Sequence, residues 1–82
     1  LPQFRWNFDP RILRVHVTTR QSVSLFSVSD SEVVGSLRIL QQDTGLFKLT
    51  CSENIVQEGN FTEGELTLTL PPQTLCSLEI EN

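Results

Sequence analysis

The chain has 82 residues, enough for one domain, and a domain of this size buries only about 60% of the surface that its unfolded chain exposes. Hydrophobic residues make up 38% and charged residues 20%, an ordinary globular balance that speaks against wholesale disorder. The formal net charge of −4 disfavours nucleic acid and anionic lipid as partners, since both are bound chiefly through surplus Lys and Arg.

No apolar run approaches the roughly 18 to 20 residues needed to cross a bilayer, so this segment is not expected to insert into a membrane. Leu1-Pro2-Gln3-Phe4-Arg5-Trp6 does not resemble a signal sequence. The absence of an initiator Met and the closing Glu79-Ile80-Glu81-Asn82 suggest a piece of a longer chain, with neighbouring domains as natural partners. Charge is unevenly spread. Arg5, Arg11, Arg14 and Arg20 lie early, no basic residue follows Lys48, and Glu53, Glu58, Glu63, Glu65, Glu79 and Glu81 lie late. Folding can bring the two halves together and cancel this asymmetry.

Period-two alternation dominates, and no helical stripe replaces it. Phe4, Trp6 and Phe8 alternate with Arg5 and Asn7, then Asp9-Pro10 forms a turn. Trp6 reads as core, because Phe4 and Phe8 share its face. Leu13, Val15 and Val17 alternate with Arg14, His16 and Thr18. In the next strand the apolar parity switches from Val23 and Leu25 to Phe26 and Val28, which predicts a bulge or bend near Leu25-Phe26. Ser29 to Glu32 reads as a loop. Val33-Val34-Gly35 leaves the start of the following strand open, and that strand carries Leu37 and Ile39. Gln42-Asp43-Thr44-Gly45 predicts a hairpin-like turn into Phe47, Leu49 and Cys51.

Ser52 to Gly64, with Gly59, Asn60 and Gly64 among several acids, reads as the longest exposed connection, with Ile55-Val56 as a short paired segment within it. Leu66, Leu68 and Leu70 form a strand ended by Pro71-Pro72. Cys76, Leu78 and Ile80 form the last one. Seven short strands predict an all-β, seven-stranded antiparallel β-sandwich, fibronectin type III-like or immunoglobulin-like, in a single extracellular domain over residues 1–82.

Cys51 and Cys76 are the only cysteines, and each falls on the apolar face of its strand. A disulfide between the fifth and seventh predicted strands is expected, with two buried free thiols as the alternative. A two-cysteine metal site lacks further ligands, because His16 is the only histidine. Asn60-Phe61-Thr62 is an N-glycosylation acceptor sequence, and together with the cysteine pair it points to an extracellular, cell-surface or secreted setting. A glycan there would direct partners to another surface. The cysteine spacing is too short for the inter-sheet bond of an antibody domain, and no Trp lies between the cysteines.

Catalysis has little support. His16 sits between Val15 and Val17 on the polar face, no glycine-bracketed serine is present, and Gly35, Gly45, Gly59 and Gly64 are too scattered for a phosphate loop. The acids around Glu53 to Glu65 follow no calcium-ligand spacing. Neither an enzyme nor a cofactor is expected.

Three stretches carry a family resemblance: Arg14-Val15-His16-Val17-Thr18-Thr19 leading to Val23-Ser24-Leu25, then Phe47-Lys48-Leu49-Thr50-Cys51-Ser52-Glu53, then Leu68-Thr69-Leu70-Pro71 followed by Leu75-Cys76-Ser77-Leu78-Glu79-Ile80. In order and spacing they resemble the membrane-distal extracellular region of the interleukin-17 receptors, particularly the C and E branch. The chain is poorer in cysteine than that region, with Ser77 where a second cysteine beside Cys76 is expected. The resemblance implies a fibronectin-like receptor domain that recognises a cytokine or another receptor chain. The candidate partner-binding residues are Arg14, His16 and Arg20, whose polar face suits an acidic protein. The competing expectation is a structural spacer or assembly domain within a larger ectodomain or adhesion protein, favoured if exposed Ile12, Leu46 and Leu75 form one patch.

Overall fold

Eight strands realise the alternating pattern in the computed structural model, which describes residues 4–19 and 21–81. They are β1 (Phe4–Asn7), β2 (Leu13–Thr19), β3 (Ser22–Ser27), β4 (Val33–Ile39), β5 (Gly45–Cys51), β6 (Asn54–Phe61), β7 (Glu65–Leu70) and β8 (Leu75–Glu81). They form two sheets, one of three strands in the order β1-β4-β7 and one of five in the order β2-β3-β8-β5-β6. Every pairing is antiparallel.

The core lies between the sheets. Leu37, Leu66, Leu68 and Leu70 from the smaller sheet meet Val23, Leu25, Leu49, Leu78 and Ile80 from the larger. Phe4, Trp6 and Phe8 are half-buried against this core, with ring centroids 5.6 Å apart for Phe4 and Trp6 and 6.4 Å for Trp6 and Phe8. Gly35 opposes this aromatic row because any Cβ there would strike the Phe8 ring.

Strand β3 corrects the predicted bulge at Leu25-Phe26. Its alternation runs unbroken, burying Val23, Leu25 and Ser27 and turning Phe26 to the outer face. Buried Ser27 avoids an orphaned hydroxyl by accepting from the Ser29 N–H at 3.3 Å. The irregularity falls instead on β2, where the register shifts between Val17 and Thr19.

The eighth strand, β6, occupies most of the stretch predicted as a connection. It pairs with β5 through a two-residue turn in which Ser52 and Glu53 both adopt positive φ, 50° and 67°. A two-residue hairpin turn needs those dihedrals to match the sheet twist, and Asn-Gly or Asp-Gly usually supplies them. Ser-Glu carries no such signature, so the strand behind it was hidden.

Gln42 to Gly45 is also not a hairpin. β4 and β5 lie in different sheets, and this segment crosses between them. The crossing is held by Gly64, whose N–H donates to the Asp43 carbonyl at 2.8 Å and whose carbonyl accepts from the Ile39 N–H at 2.7 Å. Gly64 itself is buried at φ +70°, and a Cβ there would lie 2.6 Å from the Ile39 oxygen.

β6 and β7 start as a hairpin, with Thr62 bridged to Glu65, and then diverge into separate sheets. Gln57, on the inner face of β6, spans that divergence. Its side-chain amide donates to the Thr67 carbonyl at 2.6 Å and accepts from the Thr69 N–H at 3.2 Å. A side chain thus occupies the backbone edge of β7 that a further strand would otherwise take.

Candidate functional site

Cys51 and Cys76 form the expected disulfide, with Cα atoms 4.2 Å apart. They are directly opposed on adjacent strands β5 and β8, so the bridge lies within the five-stranded sheet rather than between the two layers. It closes a loop of 25 positions that contains β6 and β7. The cystine thus cross-links β5 to β8, the central strand of the five-stranded sheet.

Arg14 and His16 both point to the outer face of that sheet from edge strand β2, and both are exposed. Arg14 has no ion pair among the described residues; its guanidinium makes one long hydrogen bond, 3.5 Å, to the Pro10 carbonyl. Arg20 lies outside the described residues. Among the other described cations, Arg5 on β1 likewise has no ion pair, whereas two are paired and Lys48 faces acids across the sheet. Arg11 forms a bidentate pair with Asp9 at 2.9 and 3.1 Å, Arg38 approaches Glu65 at 3.8 Å, and Lys48 lies cross-strand between Glu58 and Glu79. The sequence asymmetry therefore persists in part: β2 is a basic edge, and the far edge, β6, carries Glu58.

Two residues of this face, which the sequence placed at a bulge and in a spacer patch, stand together with Arg14 instead. Arg14 is opposed by Phe26, and Phe26 by Leu75, giving a cation, an aromatic ring and an aliphatic side chain in one row across β2, β3 and β8. Phe26 is half-buried, and Leu75 is 63% exposed. The parity switch at Leu25-Phe26 was the available signal; it marks an apolar residue turned outward rather than a bulge. Beside this row lies an open hollow of about 450 Å³ lined by Ser24, Thr50, Glu53, Gln73, Leu75 and Ser77.

No family model matches the chain, and no curated protein or solved structure matches it.

Asn60 is exposed, as glycosylation requires, but it sits on strand β6 opposite Leu46, not in a loop. Four strand spacings, about 19 Å, separate β6 from β2. Of the three residues considered as a spacer patch, Ile12 is half-buried against the core. Leu46 and Leu75 are exposed at opposite ends of β8, Leu46 facing Glu81 and Leu75 standing at the strand's start. They do not form one patch.

Proposed function

We propose that this chain is a non-catalytic extracellular binding module of a cell-surface receptor, recognising a protein ligand such as a cytokine or a co-receptor chain. The observation that carries the reading is the Arg14-Phe26-Leu75 row on the outer face of the disulfide-stapled sheet. Aromatic and Arg side chains dominate protein interfaces, and a preformed strand surface loses little ordering entropy on binding. The disulfide and the exposed acceptor Asn60 support an oxidising, secretory compartment. A glycan on β6 would leave the β2 side of the sheet accessible.

The fibronectin type III-like or immunoglobulin-like type is part of the same proposal. Two antiparallel sheets enclosing one core support it. In those domains the last strand lies beside the sixth in the second sheet; here the β2–β3 hairpin fills the place beside β8. The resemblance to interleukin-17 receptors points to a cytokine or receptor chain as the ligand.

The test is a panel of secreted cytokines and receptor ectodomains probed with the domain secreted from eukaryotic cells, at low and physiological salt. A specific binder whose affinity falls on Arg14→Ala or Phe26→Ala, more so at low salt for Arg14, supports the reading. A binder indifferent to both substitutions, or no binder at all, refutes it. The spacer reading lacks the apolar patch that would have favoured it.

A further inference from the structure

The two sheets expose four outer edges, and three of them resist strand pairing. The β7 edge is occupied by the Gln57 amide. β6 is interrupted by a register shift next to Thr50 and bears Glu58 and the acceptor Asn60. β1 has only 4 residues among those described. β2 differs. From Leu13 to Val17 it runs in continuous register with β3, its other side pairs with no strand among the described residues, and the irregularity begins only beyond Val17.

The two faces of this edge are chemically distinct. Val15 and Val17 oppose Leu25 and Val23 and so point to the inner side, yet they remain 39% and 40% exposed. Arg14 and His16 point outward, with no ion pair among the described residues.

We infer that the β2 edge accepts an extended acidic segment of a partner protein as a sixth strand, with carboxylates opposite Arg14 and His16 and apolar side chains opposite Val15 and Val17. Directly opposed residues on paired strands have Cβ atoms about 4.5 to 5.5 Å apart, close enough for a carboxylate to pair with the Arg14 guanidinium and to accept a hydrogen bond from the His16 ring while the alternate side chains cover the valines. Backbone hydrogen bonds along the edge supply affinity, and the alternating faces supply specificity. This deepens the binding-module reading and rests on it, since it names the chemistry of the ligand for the same strand.

The probe is a capped peptide of about nine residues alternating valine and glutamate, with a valine–lysine peptide of equal length as control, titrated into the isotope-labelled, oxidised domain. The expected result is slowed amide exchange and shifted resonances confined to Leu13–Val17 and their β3 partners. The lysine peptide and the Arg14→Glu/His16→Glu variant should each bind at least about ten-fold more weakly. Both variant positions are exposed, and unchanged Trp6 fluorescence confirms that the variant is folded. Equal binding of the two peptides, binding at β1 or β6, or no binding overturns the inference. So does concentration-dependent protection of β2 without peptide, which would assign the edge to a second copy of the chain. If the peptide fails while a panel protein still depends on Arg14 or Phe26, strand addition falls and the binding module stands. If the peptide binds and the panel yields nothing, strand addition at β2 stands and the cytokine or co-receptor identity of its ligand falls.

Discussion

Replacing Gly64 with alanine should cost this domain a large part of its stability. An L-residue held in the left-handed region costs about 1 to 2 kcal/mol, and Gly64 sits at φ +70°. The added Cβ would stand 2.6 Å from the Ile39 carbonyl oxygen and 3.1 Å from that of Gln42. Relieving this overlap pulls apart the two backbone hydrogen bonds that Gly64 shares with Asp43 and Ile39, each worth about 1 kcal/mol. The sum is about 3 to 4 kcal/mol, against about 4 to 12 kcal/mol for a domain of this length. Urea unfolding followed by fluorescence of Trp6, the single tryptophan, reads this directly. With a slope of about 1 kcal/mol per molar urea, the midpoint should fall by about 3 to 4 M. Gly59→Ala is the internal comparison, since a Cβ there meets only the Phe47 ring at an ordinary 3.9 Å, and its cost should stay below about 1 kcal/mol. A Gly64→Ala loss as small as that of Gly59→Ala would refute the argument that this glycine locks the β4–β5 crossing.

Reduction, or Cys51→Ser with Cys76→Ser, should lower stability by about 3 to 4 kcal/mol on loop-closure grounds for a 25-position loop; urea melts with and without reductant measure it, and a loss under about 1 kcal/mol contradicts the estimate. Glu53→Gly should stabilise the β5–β6 hairpin by about 0.5 to 1 kcal/mol by removing a left-handed L-residue, seen as a raised midpoint; a lowered midpoint counts against it. The Asp9 carboxylate is held below the usual carboxylate range by hydrogen bonds first from the Arg11 guanidinium and then from its backbone N–H. With the folded pKa below the unfolded one, the contribution of this turn is complete above the ordinary carboxylate value and is lost as pH falls through the depressed one. An NMR titration should show the Arg11 amide reporting that transition in the native protein and not in Asp9→Asn; titration at the ordinary carboxylate value would negate the assignment.

Strands whose inner residues are plainly apolar were legible from alternation alone: β1, β2, β5, β7 and β8 lie where Trp6, Leu13, Leu49, Leu68 and Leu78 placed them. Where the pattern failed, a polar or turn residue had taken an unexpected physical role. Ser27 fills a core position and displaces Phe26 outward, so period two continues while hydrophobicity does not. β6 puts Gln57 and Gly59 on its inner face ahead of the buried Phe61, and an edge strand with a single apolar core-side residue after an amide and a glycine has no apolar period to detect. Sheet membership was hidden too, since a short polar link between strands reads alike whether it folds back or crosses the core, as at Gln42 to Gly45. Of the candidate site, Arg14, His16 and both cysteines were legible as residue types on particular faces, and Asn60 as an acceptor whose strand was not. The row joining Arg14 to Phe26 and Leu75 was not, because it depends on the order β2-β3-β8, which links strands far apart in the chain.

That strand order constrains how the molecule can be made. β8 is the final strand described, yet it sits at the centre of the larger sheet, flanked by β3 and β5. During vectorial synthesis the β2–β3 and β5–β6 hairpins emerge with nothing to join them, and Cys51 waits for a mate that leaves the ribosome 25 residues later. The larger sheet therefore assembles only after Leu75–Glu81 has appeared, around that strand as its keel.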